Sequence, residues 1–186
     1  MNEIESRSIV QSVLEYDLDP PSEDYNPYDH GVTVAQGLAP EAVAPLVADC
    51  FIALPSSLAR SFVEGVFAGT TVFPLDDQLI DAIPRVREVS SAGVLADLLI
   101  VQRKICPIEL AIEFLTRLRP TTDTETQNRY AYAIYATFRS SDQEGRTLSR
   151  SPQEDRILDD LIGQVLSSAM LSAYARDTLE ACMQRR

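Results

Sequence analysis

The chain has 186 residues, 45% of them hydrophobic, and its 28 acidic and 16 basic residues give a net charge of -12. A chain of this length and apolar content can bury a core without disulfides or metals, so we expect a single domain over residues 1–186. The negative charge disfavours direct binding to nucleic acid and speeds encounter with a basic partner.

The N-terminal third is predicted to contain a first helix over about residues 1–16 and a connector over residues 17–38. The stretch EYDLDPPSEDYNPYDHG, residues 15–31, is named the acidic segment. Its three prolines and the lack of an apolar period argue against an interior helix or strand. The stretch GVTVAQG, residues 31–37, is interpreted as an extended connector, as is GTTVFP, residues 69–74.

Residues 39–186 are predicted to form the helical core. Apolar side chains that recur at three and four residues predict four helices, over about residues 41–54, 56–68, 75–83 and 91–102. Proline is tolerated in the first helical turn because its missing N–H would be unpaired there anyway. This rule predicts helix starts near Pro40, Pro74, Pro107 and Pro152.

Capping boxes predict the start of two further helices. Thr124 and Gln127 have the spacing of such a box, and the apolar face after it extends the helix to about residue 138. Ser151 and Glu154 form the second box, with a proline between them. The helix that follows is predicted to run to about Met183, with weak points at residues 163, 167 and 168 where a kink or break would fall.

The predicted fold class is all-α, with about seven to eight helices in antiparallel hairpins and a long C-terminal helix. The starts at Pro40, Pro74 and Pro107 are 34 and 33 residues apart, which is the period of a short HEAT-like solenoid. The sequences after these prolines share only an apolar centre, so a compact bundle is favoured over the solenoid.

The sequence lacks the residues that several kinds of catalytic site require. His30 is the only histidine, so any Ser-His or Cys-His pair would have to use it. No nucleotide-binding glycine motif, G-x-S-x-G or C-x-x-C is present. Asp17 and Asp19 match the start of a calcium loop, but Pro21 and Ser22 stand where a ligand and a glycine are needed.

Pairs of carboxylates at helical spacing are the remaining candidates for chemistry. Asp155 with Asp159, and Glu109 with Glu113, each share a helix face, as a metal or acid–base site would need. In a chain this acidic, such pairs are typical of a solvated helix surface. We therefore predict no catalytic, cofactor-binding or metal-binding residue and a protein that is not an enzyme. An enzyme with carboxylate chemistry is the third alternative.

The sequence carries no signal for export or membrane insertion. MNEIESRSIV has charges where a signal peptide needs a basic start and an apolar run, and the longest uncharged run, residues 161–175, contains Gly, Gln and Ser. Cys50, Cys106 and Cys182 lie in apolar stretches, as reduced core cysteines do. We expect a soluble, cytoplasmic protein without a membrane partner.

The acidic segment is the best candidate for a contact surface. It is either a flexible connector or a surface that presents carboxylates to a partner, and tyrosines anchor interfaces at low entropic cost. The residues predicted to bind the partner are Tyr16, Asp17, Asp19, Glu23, Asp24, Tyr25, Tyr28 and Asp29.

The favoured function is an immunity protein or inhibitor that neutralises a basic protein such as a nuclease-like bacterial toxin. The alternative is a helical scaffold or adaptor that binds a helix or peptide in an apolar groove.

Overall fold

The computed structural model describes residues 3–70, 76–102, 105–139, 151–168 and 170–184. These residues form helices and no β-strand, so the all-α prediction is confirmed. Ten α-helices occur among them, against the seven to eight predicted: α1 Glu3–Leu18, α2 Pro27–Gln36, α3 Val43–Ala53, α4 Ser56–Gly69, α5 Asp76–Ile80, α6 Val89–Val101, α7 Pro107–Leu118, α8 Thr124–Arg139, α9 Pro152–Ser168 and α10 Ala173–Gln184. Two short 3-10 turns lie at Pro40–Ala42 and Ile83–Arg85.

The helices form two compact units. The first comprises the described residues of Met1–Ala82 together with Val86–Ser91. The second comprises Ile83–Arg85 and the described residues of Ala92–Arg186. The expectation of a single domain stays a prediction.

In the first unit, α2 and α4 meet backbone to backbone. A Cβ atom built on Gly31 would lie 2.1 Å from the carbonyl oxygen of Phe62, and one built on Gly65 would lie 1.9 Å from that of Tyr28. Gly69, one turn after Gly65, makes a third close approach to α2. Real Cβ atoms do not come so near to backbone atoms, so this crossing requires glycine.

The helix α1 packs against α3 rather than against the α2–α4 pair alone. Val10 and Val13 of α1 are buried, and the hydroxyl of Ser6 donates a hydrogen bond to the carboxylate of Asp49 on α3. Phe51 of α3 is fully buried. Within the first unit, α1 therefore packs on α3 and α2 packs on α4.

The presence of α2 corrects the sequence prediction for residues 17–38. Asn26 caps this helix, since its Oδ1 accepts a hydrogen bond from the Tyr28 N–H at 2.9 Å, and Pro27 occupies the first helical turn. The extended conformation expected for residues 31–37 is wrong as far as Gln36, where α2 ends. Pro27 is therefore a proline in the first turn of a helix, although helix starts were predicted only near Pro40, Pro74, Pro107 and Pro152.

The other proline rules have mixed outcomes. Helices begin at Pro107 and at Pro152, as predicted. Pro40 begins a 3-10 turn, and the α-helix starts only at Val43. Pro74 lies outside the described residues. The same holds for residues 71–74 of the connector that was predicted over residues 69–74.

Of the two predicted capping boxes, one is confirmed. Glu154 N–H donates to Ser151 Oγ at 3.2 Å, and Ser151 N–H donates to Glu154 Oε2 at 2.6 Å. At α8 the cap is Asp123 instead of Thr124, with Oδ2 accepting from the Thr126 N–H at 2.8 Å. Hydrogen bonds from Thr126, first that from its side chain and then that from its N–H, hold the pKa of Asp123 below its usual range.

Gln127 does not cap α8 because its side chain is buried between α8 and the start of α10. Its Nε2 donates to the carbonyls of Thr121 and Met170, each at 2.8 Å, and its Oε1 accepts from the Ser172 N–H at 2.8 Å. Ser172 Oγ in turn accepts from the Ala175 N–H at 3.0 Å, which caps α10. The helix predicted from residue 152 to about 183 is therefore two helices, interrupted just after the predicted weak point at residue 168.

The cysteines agree with the core interpretation at two of three positions. Cys50 and Cys182 are buried, and burial raises the pKa of the Cys50 thiol. Cys106 is exposed at the residue that precedes α7, so its assignment to the core is wrong.

Candidate functional site

The acidic segment folds as a turn that joins α1 to α2. Asp19 N–H donates to the carbonyl of Glu15 at 2.8 Å and so adds to the end of α1. Tyr25 N–H donates to the carbonyl of Ser22 at 3.2 Å, and the cap at Asn26 follows directly. Local hydrogen bonds thus shape the backbone on both sides of the two adjacent prolines.

Four rings attach this turn to the first unit, and we name them the aromatic cluster: Tyr16, Tyr25, His30 and Phe62. The ring centroids of Tyr16 and Tyr25 are 5.6 Å apart, those of Tyr16 and His30 are 5.3 Å apart, and those of His30 and Phe62 are 5.5 Å apart. A hydrogen bond of 3.2 Å joins Tyr25 Oη to His30 Nδ1. Because Phe62 is a fully buried residue of α4, the cluster fixes the turn to the core.

Burial shifts the pKa values of His30 and Tyr25 in the directions that favour their neutral forms. Removal from water lowers the pKa of His30. The pKa of Tyr25 is raised, first by burial and then by the negative charge of Asp17 and the neighbouring Tyr16. The polar contact between Tyr25 and His30 is therefore one between neutral groups.

The acidic side chains of the acidic segment lie at the solvent-exposed surface. Each of its six acids is exposed: Glu15, Asp17, Asp19, Glu23, Asp24 and Asp29. Leu18, at the end of α1 between two of the aspartates, has 85% of its surface exposed. Exposed carboxylates can accept charge-assisted hydrogen bonds from arginine and lysine, and an exposed leucine offers an apolar contact beside them.

The eight predicted partner-binding residues thus lie on one turn and the helix ends beside it, but with two orientations. The rings of Tyr16 and Tyr25 are half-buried in the aromatic cluster, whereas Tyr28 is 37% exposed and the five predicted acids are exposed. That these residues bind a partner stays a prediction. Two further residues of this site were not predicted. Leu18 is an apolar residue between aspartates at a helix end, which the sequence shows, whereas no local pattern connects Phe62 to the turn.

Comparisons with models of protein families, with curated proteins and with solved structures give no match to this chain.

Of the two carboxylate pairs singled out in the sequence, Glu109 and Glu113 have different surroundings, whereas a shared role of Asp155 and Asp159 stays untested. Glu113 Oε1 lies 2.6 Å from Nε of Arg117, one turn later on α7, in an ion pair, while Glu109 is exposed. Within the described ranges, no three His, Cys, Asp or Glu side chains are placed to hold a metal ion. Of the helices in the part of the chain that the structure describes, none is long and apolar enough to span a bilayer.

Proposed function

We propose that this protein binds a basic protein partner through the exposed carboxylates of the acidic segment. The observation that carries the proposal is the arrangement of that segment: six exposed acids lie on a turn and the helix ends beside it, and the aromatic cluster attaches this turn to α4. A surface held in one conformation before binding loses less conformational entropy on association than a flexible chain would. This arrangement favours a contact surface over a plain connector.

The charge distribution supports a partner that is basic. No lysine or arginine occurs between Arg7 and Arg60, so the negative charge of the acidic segment is not offset by neighbours in sequence. Such a surface attracts a cationic protein over several ångströms and fixes its orientation at encounter. The finer part of the proposal is an inhibitor or immunity protein that covers the cationic, phosphate-binding surface of a nuclease-like toxin.

The test begins with the partner that co-purifies with the full chain from its native cells and then uses purified proteins. The variant Asp17→Asn, Asp19→Asn, Glu23→Gln, Asp24→Asn removes four charges from the acidic segment. We expect its association rate with the partner to fall about tenfold or more, and the wild-type rate to fall steeply between low and high salt. If the partner is a nuclease, the wild-type protein should inhibit it at equimolar concentration.

The matched control removes the same charge from exposed acids of the second unit: Glu109→Gln, Asp160→Asn, Asp177→Asn, Glu180→Gln. We expect this control to retain most of the association rate. An equal loss in both variants would show that net charge alone acts, and it would overturn the assignment to the acidic segment. An acidic partner, or unchanged binding in the first variant, would overturn the proposal as a whole.

A further inference from the structure

A groove of about 520 Å³ opens in the first unit between α1 and the C-terminal end of α2. Its apolar lining comes from Ile9 on α1 and from Val34, Leu38 and Ala39 in and after α2. These side chains are half-buried or exposed and are not part of the buried core. The groove is large enough to receive one or two apolar side chains of another molecule.

The groove lies between two helices, α1 and α2, that pack on different partners within the first unit. Near the turn, the ring of Tyr16 on α1 contacts that of His30 on α2, with centroids 5.3 Å apart. The helix α2 packs on α4 through the close approaches of Gly31 and Gly69. The helix α1 instead packs on α3, to which Ser6 is hydrogen-bonded. The apolar side chains that line the groove between α1 and α2 stay partly exposed.

Acidic residues predominate around the groove, and Arg7 on α1 is the only arginine or lysine in residues 1–59. Glu5 lines it, and Glu41 is exposed two residues after Ala39. The C-terminal end of α2 adds the partial negative charge of its last carbonyl groups, and its last turn contains no basic residue. An occupant that combines an apolar side chain with lysine or arginine would match both the lining and its surroundings.

We propose that the groove receives an apolar side chain from a basic amphipathic helix of the same partner that the acidic segment binds. This inference rests on the proposed function. Glu5 at the groove and Tyr16 at the turn are eleven residues apart on α1, which corresponds to about 16 Å along the helix axis. A partner helix of about three turns would therefore reach from the groove to the acidic segment.

The test uses the full chain and a fluorescein-labelled helical peptide of about 16 residues, built from Leu, Ala, Lys and Arg with leucines on one face. A peptide of the same composition with its leucines scattered serves as the reference. Ser8, exposed on α1 at the groove, is changed to Trp to fill it, and Ser57, exposed on α4 outside the groove, is changed to Trp as the matched control.

We expect Ser8→Trp to weaken binding of the one-faced peptide by about tenfold or more and Ser57→Trp to change it by no more than about twofold. The one-faced peptide should also bind the wild-type chain more tightly than the reference peptide. In NMR spectra of the labelled wild-type chain, which need no variant to fold, the amide signals of Ile9, Val34 and Leu38 should shift with the one-faced peptide.

The outcomes separate this inference from the proposed function. Binding that falls when the acidic segment is neutralised but not in Ser8→Trp, or equal binding of the two peptides, would overturn the groove and leave the acidic surface standing. If Ser8→Trp weakens peptide binding while neither added salt nor neutralisation of the acidic segment changes it, the occupant is purely apolar. That result would overturn the proposal of a basic partner helix. Absence of groove shifts in the wild-type NMR spectra would also overturn it.

Discussion

The carbonyl oxygen of Tyr28 occupies the space that a side chain of Gly65 would fill, only 1.9 Å from the position of its Cβ. Through this contact and that of Gly31, the helix that follows the acidic segment rests directly on the backbone of α4. The position of the exposed carboxylates therefore depends on two glycines that bear no charge.

Gly65→Ala should destabilise the protein strongly. Its new methyl group would meet backbone atoms, which cannot rotate away, so we expect a loss of about 3 kcal/mol or more, the upper end of the cost of overpacking. Gly163→Ala is the control, since a Cβ there has nothing within 4 Å and lies inside α9. It should stabilise the protein by about 0.5–1 kcal/mol. Urea unfolding followed by circular dichroism measures both, and equal effects would contradict the close crossing of α2 and α4.

The contact between Tyr25 and His30 should contribute measurable stability. Tyr25→Phe keeps the ring but removes the hydroxyl that lies 3.2 Å from Nδ1, and we expect it to lower the free energy of unfolding by about 1 kcal/mol. Tyr28→Phe removes a hydroxyl from a more exposed ring and should change that free energy by less than about 0.5 kcal/mol. The same urea titration applies, and a larger loss in Tyr28→Phe would refute the role given to the cluster.

His30 should make stability depend on pH in one direction. Burial lowers its pKa in the folded state below the value of about 6.5 expected when unfolded, so protons bind the unfolded chain more readily. Its contribution is complete above pH of about 6.5 and is lost as the pH falls through the folded pKa. Urea unfolding across this range should show the slope in the wild type and a weaker slope in His30→Phe. An NMR titration that gave His30 a pKa above 6.5 would contradict the prediction.

The buried amide of Gln127 should be needed to join α8 to the start of α10. Gln127→Leu would leave the carbonyls of Thr121 and Met170 and the N–H of Ser172 without this partner, so we expect a loss of about 2 kcal/mol or more. Faster hydrogen exchange at Ser172 would locate the effect. Gln153→Leu, on the exposed start of α9, should change stability by less than about 0.5 kcal/mol.

Elements with local start signals could be predicted from the sequence. The capping box at Ser151 and the proline at position 107 act within one helical turn, and both helices begin where expected. The same kind of signal is present at Asn26 and Pro27, but the neighbouring prolines and acids favoured a connector in the sequence-based prediction. The sequence therefore contains the start signal of α2, and the prediction gave it too little weight.

The remaining features depend on contacts between residues that are distant in sequence. Gln127 could have capped α8, yet it hydrogen-bonds to Met170 and Ser172, more than forty positions later. The break between α9 and α10 falls just after the weak point predicted at residue 168, but the hydrogen bonds of Gln127 that hold the chain after the break could not be predicted from residues 152–183. In the candidate site, the six acids were evident from composition, whereas the attachment of their turn to Phe62 was not.

The crossing of α2 and α4 also bears on when the acidic surface forms. Gly31 and Gly65 are separated by a long stretch of chain, and contacts of high sequence separation form only after the loop between them has closed. A fragment ending at residue 55 would contain every acid and tyrosine of the acidic segment but not α4, the helix on which α2 packs. Such a fragment would carry the charges of the acidic segment without the crossing that holds α2, so any difference in partner affinity from the full chain would measure what the fold contributes.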